Sequence, residues 1–260
     1  MTTSPDMTAS DGTIGGRDVA ERRILFRLGG WAAIVGSILG GVGNAIHPVT
    51  PENDPVGVAR VIADSTAWTV IHVAIVVGIA LMLAGLVAIA ARTTRALSRV
   101  LARLAVLSAT VGVTIGLLLV ILDGVAARQL AQEWAEAGRG SATALANVHV
   151  NETINFALAS LFNLVFAGAT FILLGLALAL DGSDRTSSGW IAVAAGLGSI
   201  AAGCAQAFIG EPTQVSRVLT IIGPTVITLW VAGYGVALVR DAKRLRATTD
   251  ADQGHHASPA

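Results

Sequence analysis

Six stretches of this 260-residue chain stay apolar for about the length needed to cross a bilayer, and charged or turn-forming residues separate each from the next. A helix rises 1.5 Å per residue, so about 20 apolar residues span a hydrocarbon core of about 30 Å. By that measure the spans fall at 27–47, 68–91, 101–122, 153–180, 189–210 and 219–239, bounded by charge, proline or an interfacial aromatic such as Trp68 or Trp190. Hydrophobic residues make up 53% of the chain and charged residues 13%, with a mean hydropathy of +0.70. That is too apolar for a soluble domain and too interrupted for a single core. The expected fold is all-α: a polytopic membrane protein whose six-transmembrane-helix bundle occupies residues 19–246, between disordered tails at 1–18 and 247–260.

The first span is built largely from small residues, with Ala33, Ser37, Gly41 and Ala45 at every fourth position and a Gly36-to-Gly40 pair beside them. In lipid, where apolar burial no longer drives helix association, such rows let backbones approach closely and so supply packing energy. The same ladder recurs in the fifth span as Ala195, Ser199, Gly203 and Ala207, and the third carries Ser108, Gly112 and Gly116. These rows should face neighbouring helices. The longer connections, 48–67 and 124–150, hold VGVARVIADS and GVAARQLAQEWAEAG, which read as short interfacial helices, the second anchored by Trp134.

Basic residues set the expected orientation, because Lys and Arg near span ends stay on the cytoplasmic side. Thirteen of the 17 flank one side and four the other, which puts both termini in the cytoplasm. Arginine is used almost to the exclusion of lysine in an Ala-rich chain, and the polar, acidic N-terminal stretch is not a cleavable signal peptide. The expected location is therefore a bacterial inner membrane, with the lipid bilayer as the main partner. A net charge of zero gives no reason to expect nucleic acid.

Polar residues gather on the opposite, outer side. His47 lies 20 residues after Arg27, His72 20 before Arg92 and Asp123 20 after Arg103, so all three stand roughly 30 Å from the basic flank. Asn44 shares the last turn of the first span with His47, and Pro48 stops that helix. Gln206 and Glu211 close the fifth span, and His149, Glu152 and Asn155 open the fourth. Below them Asn163, Ala167 and Thr170 continue a polar stripe towards mid-membrane, where Asn163 and the Thr110/Thr114 pair read as interhelical hydrogen-bond glue. The row of His72 runs through bulky Val76, Ile79 and Leu83, so His72 ranks below His47 and Glu152.

Imidazoles from His47, His72 and His149 with a carboxylate from Asp123 or Glu152 suit zinc or a similar divalent metal, and His149 and Glu152 have a spacing used by metal ligands in bundles. The tail histidines His255 and His256 make a poorer site, and the lone Cys204 excludes an internal disulfide. No phosphate-binding loop, nucleophile elbow or HExxH is present, which weighs against an enzyme. The leading expectation is a protein that binds or permeates a small solute or ion through an outward-facing polar site. A metal-dependent membrane enzyme and a structural or partner-binding subunit are the alternatives.

The charge distribution generates a direct test. A reporter active only in the periplasm should be silent when fused at residue 247 and active at about residue 138; the reverse pattern would invert the topology.

Overall fold

The computed structural model describes residues 11–51, 54–182, 186–209 and 214–256. Among them the helices are α1 (Asp11–Ala45), α2 (Pro55–Asp64), α3 (Trp68–Ala90), α4 (Ala96–Val120), α5 (Ala127–Glu136), α6 (Ala142–Phe162), α7 (Thr170–Leu180), α8 (Thr186–Ile209) and α9 (Gln214–His256). Wider π turns at Ile121–Ala126 and Asn163–Ala169 join α4 to α5 and α6 to α7 without a break. The result is six helical stretches long and apolar enough to cross a membrane, compatible with an integral membrane protein. Large side chains such as Leu28, Ile38, Val70, Leu107, Leu197 and Leu229 point outward and are exposed, the surface a bilayer would cover.

The spans stand in a ring in chain order. The α1 span packs on α3, α3 on α4, the α4 span on α6 and α7, α7 on α8, α8 on α9, and α9 returns to α1. Glycines permit the closest of these contacts. A Cβ on Gly36 would lie 2.6 Å from the Gly78 carbonyl oxygen, and one on Gly203 would lie 2.9 Å from the Ser160 carbonyl oxygen. Only backbone hydrogen fits there. The ladder read from the first span is displaced from this contact: Ala33 and Ser37 are buried, but Gly41 meets only the Thr228 methyl at 3.3 Å, and Ala45 and Asn44 are exposed.

Inside the ring, the half towards Arg92 is filled and the other half is not. Leu86, Ile89, Phe171, Leu174, Val231 and Leu238 are essentially inaccessible there. A run of rings, Phe162, Phe166, Phe171, Trp230 and Tyr234, crosses this interior with centroid separations of 4.9, 6.1, 5.8 and 4.3 Å. At the same end Arg92 pairs with Asp241, tying α3 to α9. Asp181, just past α7, accepts from the backbone N–H groups of Thr94 and Arg95, each at 2.9 Å, and so occupies orphan donors where α4 starts.

Several sequence expectations are corrected. The third and fourth spans are longer than their apolar runs, because polar but helix-favouring turns extend them to Glu136 and back to Ala142. The two outer connections pack on each other and on α6. The face of α5 formed by Ala127, Ala131 and Trp134 meets Ala59 and Ile62 of α2 and Val148 of α6, and Trp134 is 1% exposed. Each amphipathic segment buries much of its apolar face against another. Arg128 adds a cation at the end of α2, donating to the carbonyls of Ile62 and Ala63. Thr110 and Thr114 return their hydroxyls to Val106 and Thr110 of their own helix, so they join no neighbour. Helices α1 and α9 reach into the stretches expected to be tails; the side chains of His255 and His256, and Glu211, lie outside the described residues.

Two tests follow from this packing. Gly36→Leu and Gly203→Leu should each lower stability by about 1–3 kcal/mol through overpacking, and Gly41→Leu by less. Outward-facing Val77→Leu should be nearly silent in the same detergent melting assay. Ile79 and Leu83, in the row of His72, instead pack against the core.

The second test concerns Asp181. Burial opposes its ionisation, but the N–H groups of Arg95 and Thr94 and the Thr94 hydroxyl outweigh it and hold the carboxyl below the ordinary carboxylate range. A depressed carboxyl stabilises the fold above its unfolded pKa of about 3.9, and the contribution fades as pH falls through the lower folded value. Melting temperature should therefore drop less steeply below pH 4 in Asp181→Asn than in the parent.

Candidate functional site

Three side chains from three spans converge at the end of the ring opposite Arg92. His47 follows α1, where Pro48 cannot continue the helix; its Nδ1 lies 2.9 Å from the Pro48 carbonyl oxygen. His72 sits one turn into α3, with Nδ1 2.7 Å from the Trp68 carbonyl oxygen. Asp123 belongs to the π turn after α4. The two Nε2 atoms are 3.2 Å apart, and Asp123 Oδ2 is 3.0 Å from His72 Nε2. One donor atom from each of the three lies within 4.8 Å of the others.

The π turn makes this convergence possible. Widening a helix by one residue frees carbonyls from the regular ladder, and buried carbonyls need partners. Here neighbouring spans supply them. Trp68 Nε1 donates to the Asp123 carbonyl at 2.7 Å, the Thr69 hydroxyl to Gly124 at 3.0 Å and Asn151 Nδ2 to Leu122 at 3.3 Å. Gly124 completes the fit, since a Cβ there would lie 2.5 Å from His72 Cβ. Trp68, 1% exposed, stands with its ring centroid 5.0 Å from that of His47 and 4.9 Å from that of His72. The second π turn follows the same logic, its Val165 carbonyl accepting from Ser108 and Thr170, each at 3.1 Å.

Beneath the cluster lies a chamber of about 240 Å³. His47, His72 and Asp123 form its roof. Ile75, Ile79, Leu119, Phe162, Ile227 and Thr228 are among its walls, and Met82, Phe166 and Ala167 reach down to the packed interior. A second cleft of about 660 Å³ runs between α1 and α9 and shares Asn44, His47, Pro224 and Thr228 with the chamber.

The structure sorts the sequence candidates. His72 is 3% exposed and central, so its lower ranking is overturned: Ile79 of its row lines the chamber, and Gly124 of the π turn covers its ring from the other side. His149 is exposed and does not join the cluster. It lies on the face of α6 away from Val148 and Asn151, the residues that pack inward. Glu152 is half-buried, with Oε1 buried and without a hydrogen-bond partner, and is near enough to Asp123 and His72 to interact electrostatically with both. Asn163 lines the chamber but is held by Gln206 of α8 at 2.9 Å, and Asn155 is buried one turn before Ala159, a wall residue. Asn44 lines both cavities. Trp68, Phe162, Ile227 and Thr228 were not anticipated. The one sequence signal for the last two was Pro224 inside an otherwise helical span, which removes a backbone donor beside the cavity.

No protein-family model matches the chain, and no curated protein or solved structure matches it either. The site must therefore be interpreted from its own chemistry.

Proposed function

We propose that this protein is a multi-pass membrane protein that binds a small, partly apolar molecule in the chamber, with the molecule's polar end against His47, His72 and Asp123. One observation carries this reading: the chamber of about 240 Å³ has a roof of ionisable groups and mostly apolar walls. For scale, an apolar cavity of about 150 Å³ accommodates benzene. Ligand sites commonly combine apolar walls with a few convergent polar groups that fix orientation.

Binding is favoured over permeation because the floor is closed by side chains. Below Met82, Phe166 and Ile227, the fully buried Phe171, Leu86 and Val231 fill the ring, and no charged side chain lines a way through among the described chamber residues. The cleft between α1 and α9 offers a lateral route from the apolar phase. The skewed distribution of basic residues supports cytoplasmic termini and an outward-facing site in a bacterial inner membrane.

Thermal shift of the purified protein with a panel of small alcohols, phenols, amines and carboxylic acids tests the proposal. A ligand present at 100 times its Kd should stabilise the fold by about 2.7 kcal/mol. Ala159→Phe, which projects into the chamber, should abolish that shift, while outward-facing Val73→Phe should retain it. A panel without any stabilising member, or stabilisation that survives Ala159→Phe, would overturn the proposal.

A further inference from the structure

We propose that His47 Nε2, His72 Nε2 and Asp123 Oδ2 bind one divalent transition-metal ion of the zinc class, with its remaining coordination position open to the chamber. This goes beyond the ligand-binding reading and does not depend on it.

The argument starts from proton placement. A backbone carbonyl can only accept, so Nδ1 of His47, facing Pro48 O, and Nδ1 of His72, facing Trp68 O, each carry the hydrogen. In neutral imidazoles that leaves both Nε2 atoms as bare lone pairs. These lone pairs stand 3.2 Å apart, with a carboxylate oxygen 3.0 Å from one of them. Three acceptors turned on one another in a half-buried site need a positive charge between them, a proton or a metal ion. A single proton on His72 Nε2 would have to be shared between His47 and Asp123. A dication satisfies all three at once.

The dimensions agree with this choice. Zinc–nitrogen and zinc–oxygen bonds of about 2.0–2.2 Å in tetrahedral geometry place ligand atoms roughly 3.3–3.5 Å from one another. The spacings of 3.2 and 3.0 Å are close to that, and the third pair, His47 and Asp123, lies farther apart but within 4.8 Å, so a bound metal would draw those two ligands together. Holding the non-ligating imidazole nitrogen on a backbone carbonyl is also the common outer-shell arrangement for metal-bound histidine, since it fixes ring orientation and tautomer. Two imidazoles and a carboxylate are a donor set that suits zinc, and three protein ligands with an open fourth position mark a site that engages a further molecule. All three ligands line the chamber, so the open position faces it. Glu152 is near enough to Asp123 and His72 to interact electrostatically with both, and is not one of the three ligands.

The test uses full-length protein in detergent, stripped with chelator and carrying His255→Ala and His256→Ala so that the tail cannot bind metal. Titration with Zn²⁺ should give one equivalent bound, and Co²⁺ should give the visible absorption of a four-coordinate nitrogen–oxygen site. Zn²⁺ should also raise the melting temperature. His47→Gln, at a helix end, should weaken Zn²⁺ binding by roughly 100-fold or more, beyond the usual effect of an outer-shell change, and should remove the melting shift. His149→Ala should leave both unchanged. Buried His72→Gln is the companion variant, read only if its melting curve remains cooperative. Failure to bind one equivalent, or binding that survives His47→Gln, would refute the metal site and leave the cluster as a proton-holding pair, while the chamber-ligand panel would still report on the ligand-binding proposal.

Discussion

The site depends on how closely α1 approaches α3. Where Gly36 faces Gly78 the two backbones meet with no side chain between them, and the contact continues through Gly43 against Ile75. Two helices held at that spacing keep register along their shared length, so a residue just past the end of α1 is delivered beside the first turns of α3. That residue is His47, and its neighbour is His72. Any side chain at Gly36 would separate the helices and, through them, the two imidazoles. Packing energy and site geometry are therefore set by the same contact.

The third ligand candidate arrives by a different device. A regular helix would rotate Asp123 according to a period of 3.6 residues, but the π turn at Ile121–Ala126 inserts an offset, and α3 stabilises it by hydrogen-bonding the freed carbonyls of Asp123 and Gly124 through Trp68 and Thr69. Trp68 thus has two roles: its indole N–H holds the backbone of Asp123, and its ring packs against both histidines. The carbonyl of Trp68 also fixes the His72 ring. Placement of three ionisable groups rests on one aromatic residue that carries no charge.

The ring distributes its interior unevenly. A closed circle of six spans has more room at its axis than small side chains fill, and the protein fills one half with aromatics while leaving the other open beneath the cluster. At the filled end Arg92 with Asp241 ties the second span to the sixth, and Asp181 ties the end of the fourth span to the start of the third. The open end is instead closed over by α2, α5 and the first turns of α6.

Length and apolar periodicity alone determined the six spans, because a bilayer imposes one length on any helix that crosses it, and the height of His47, His72 and Asp123 followed by counting residues at a fixed rise. The rows Ser108, Gly112 and Gly116 and Asn155, Asn163 and Thr170 also declared their inward faces, since small and polar side chains have little reason to face lipid. Tertiary structure decided which of the polar residues meet. His149 and His72 look alike in sequence, yet one is exposed and the other nearly inaccessible, because burial depends on which span stands opposite and the sequence does not name the neighbour. The amphipathic face of α5 was legible, but its partner was α2 rather than lipid. Helical period assigns each side chain a height and a direction on its own helix; the ring order, the π turns and the glycine contacts, which arise only between helices, decide what lies in that direction.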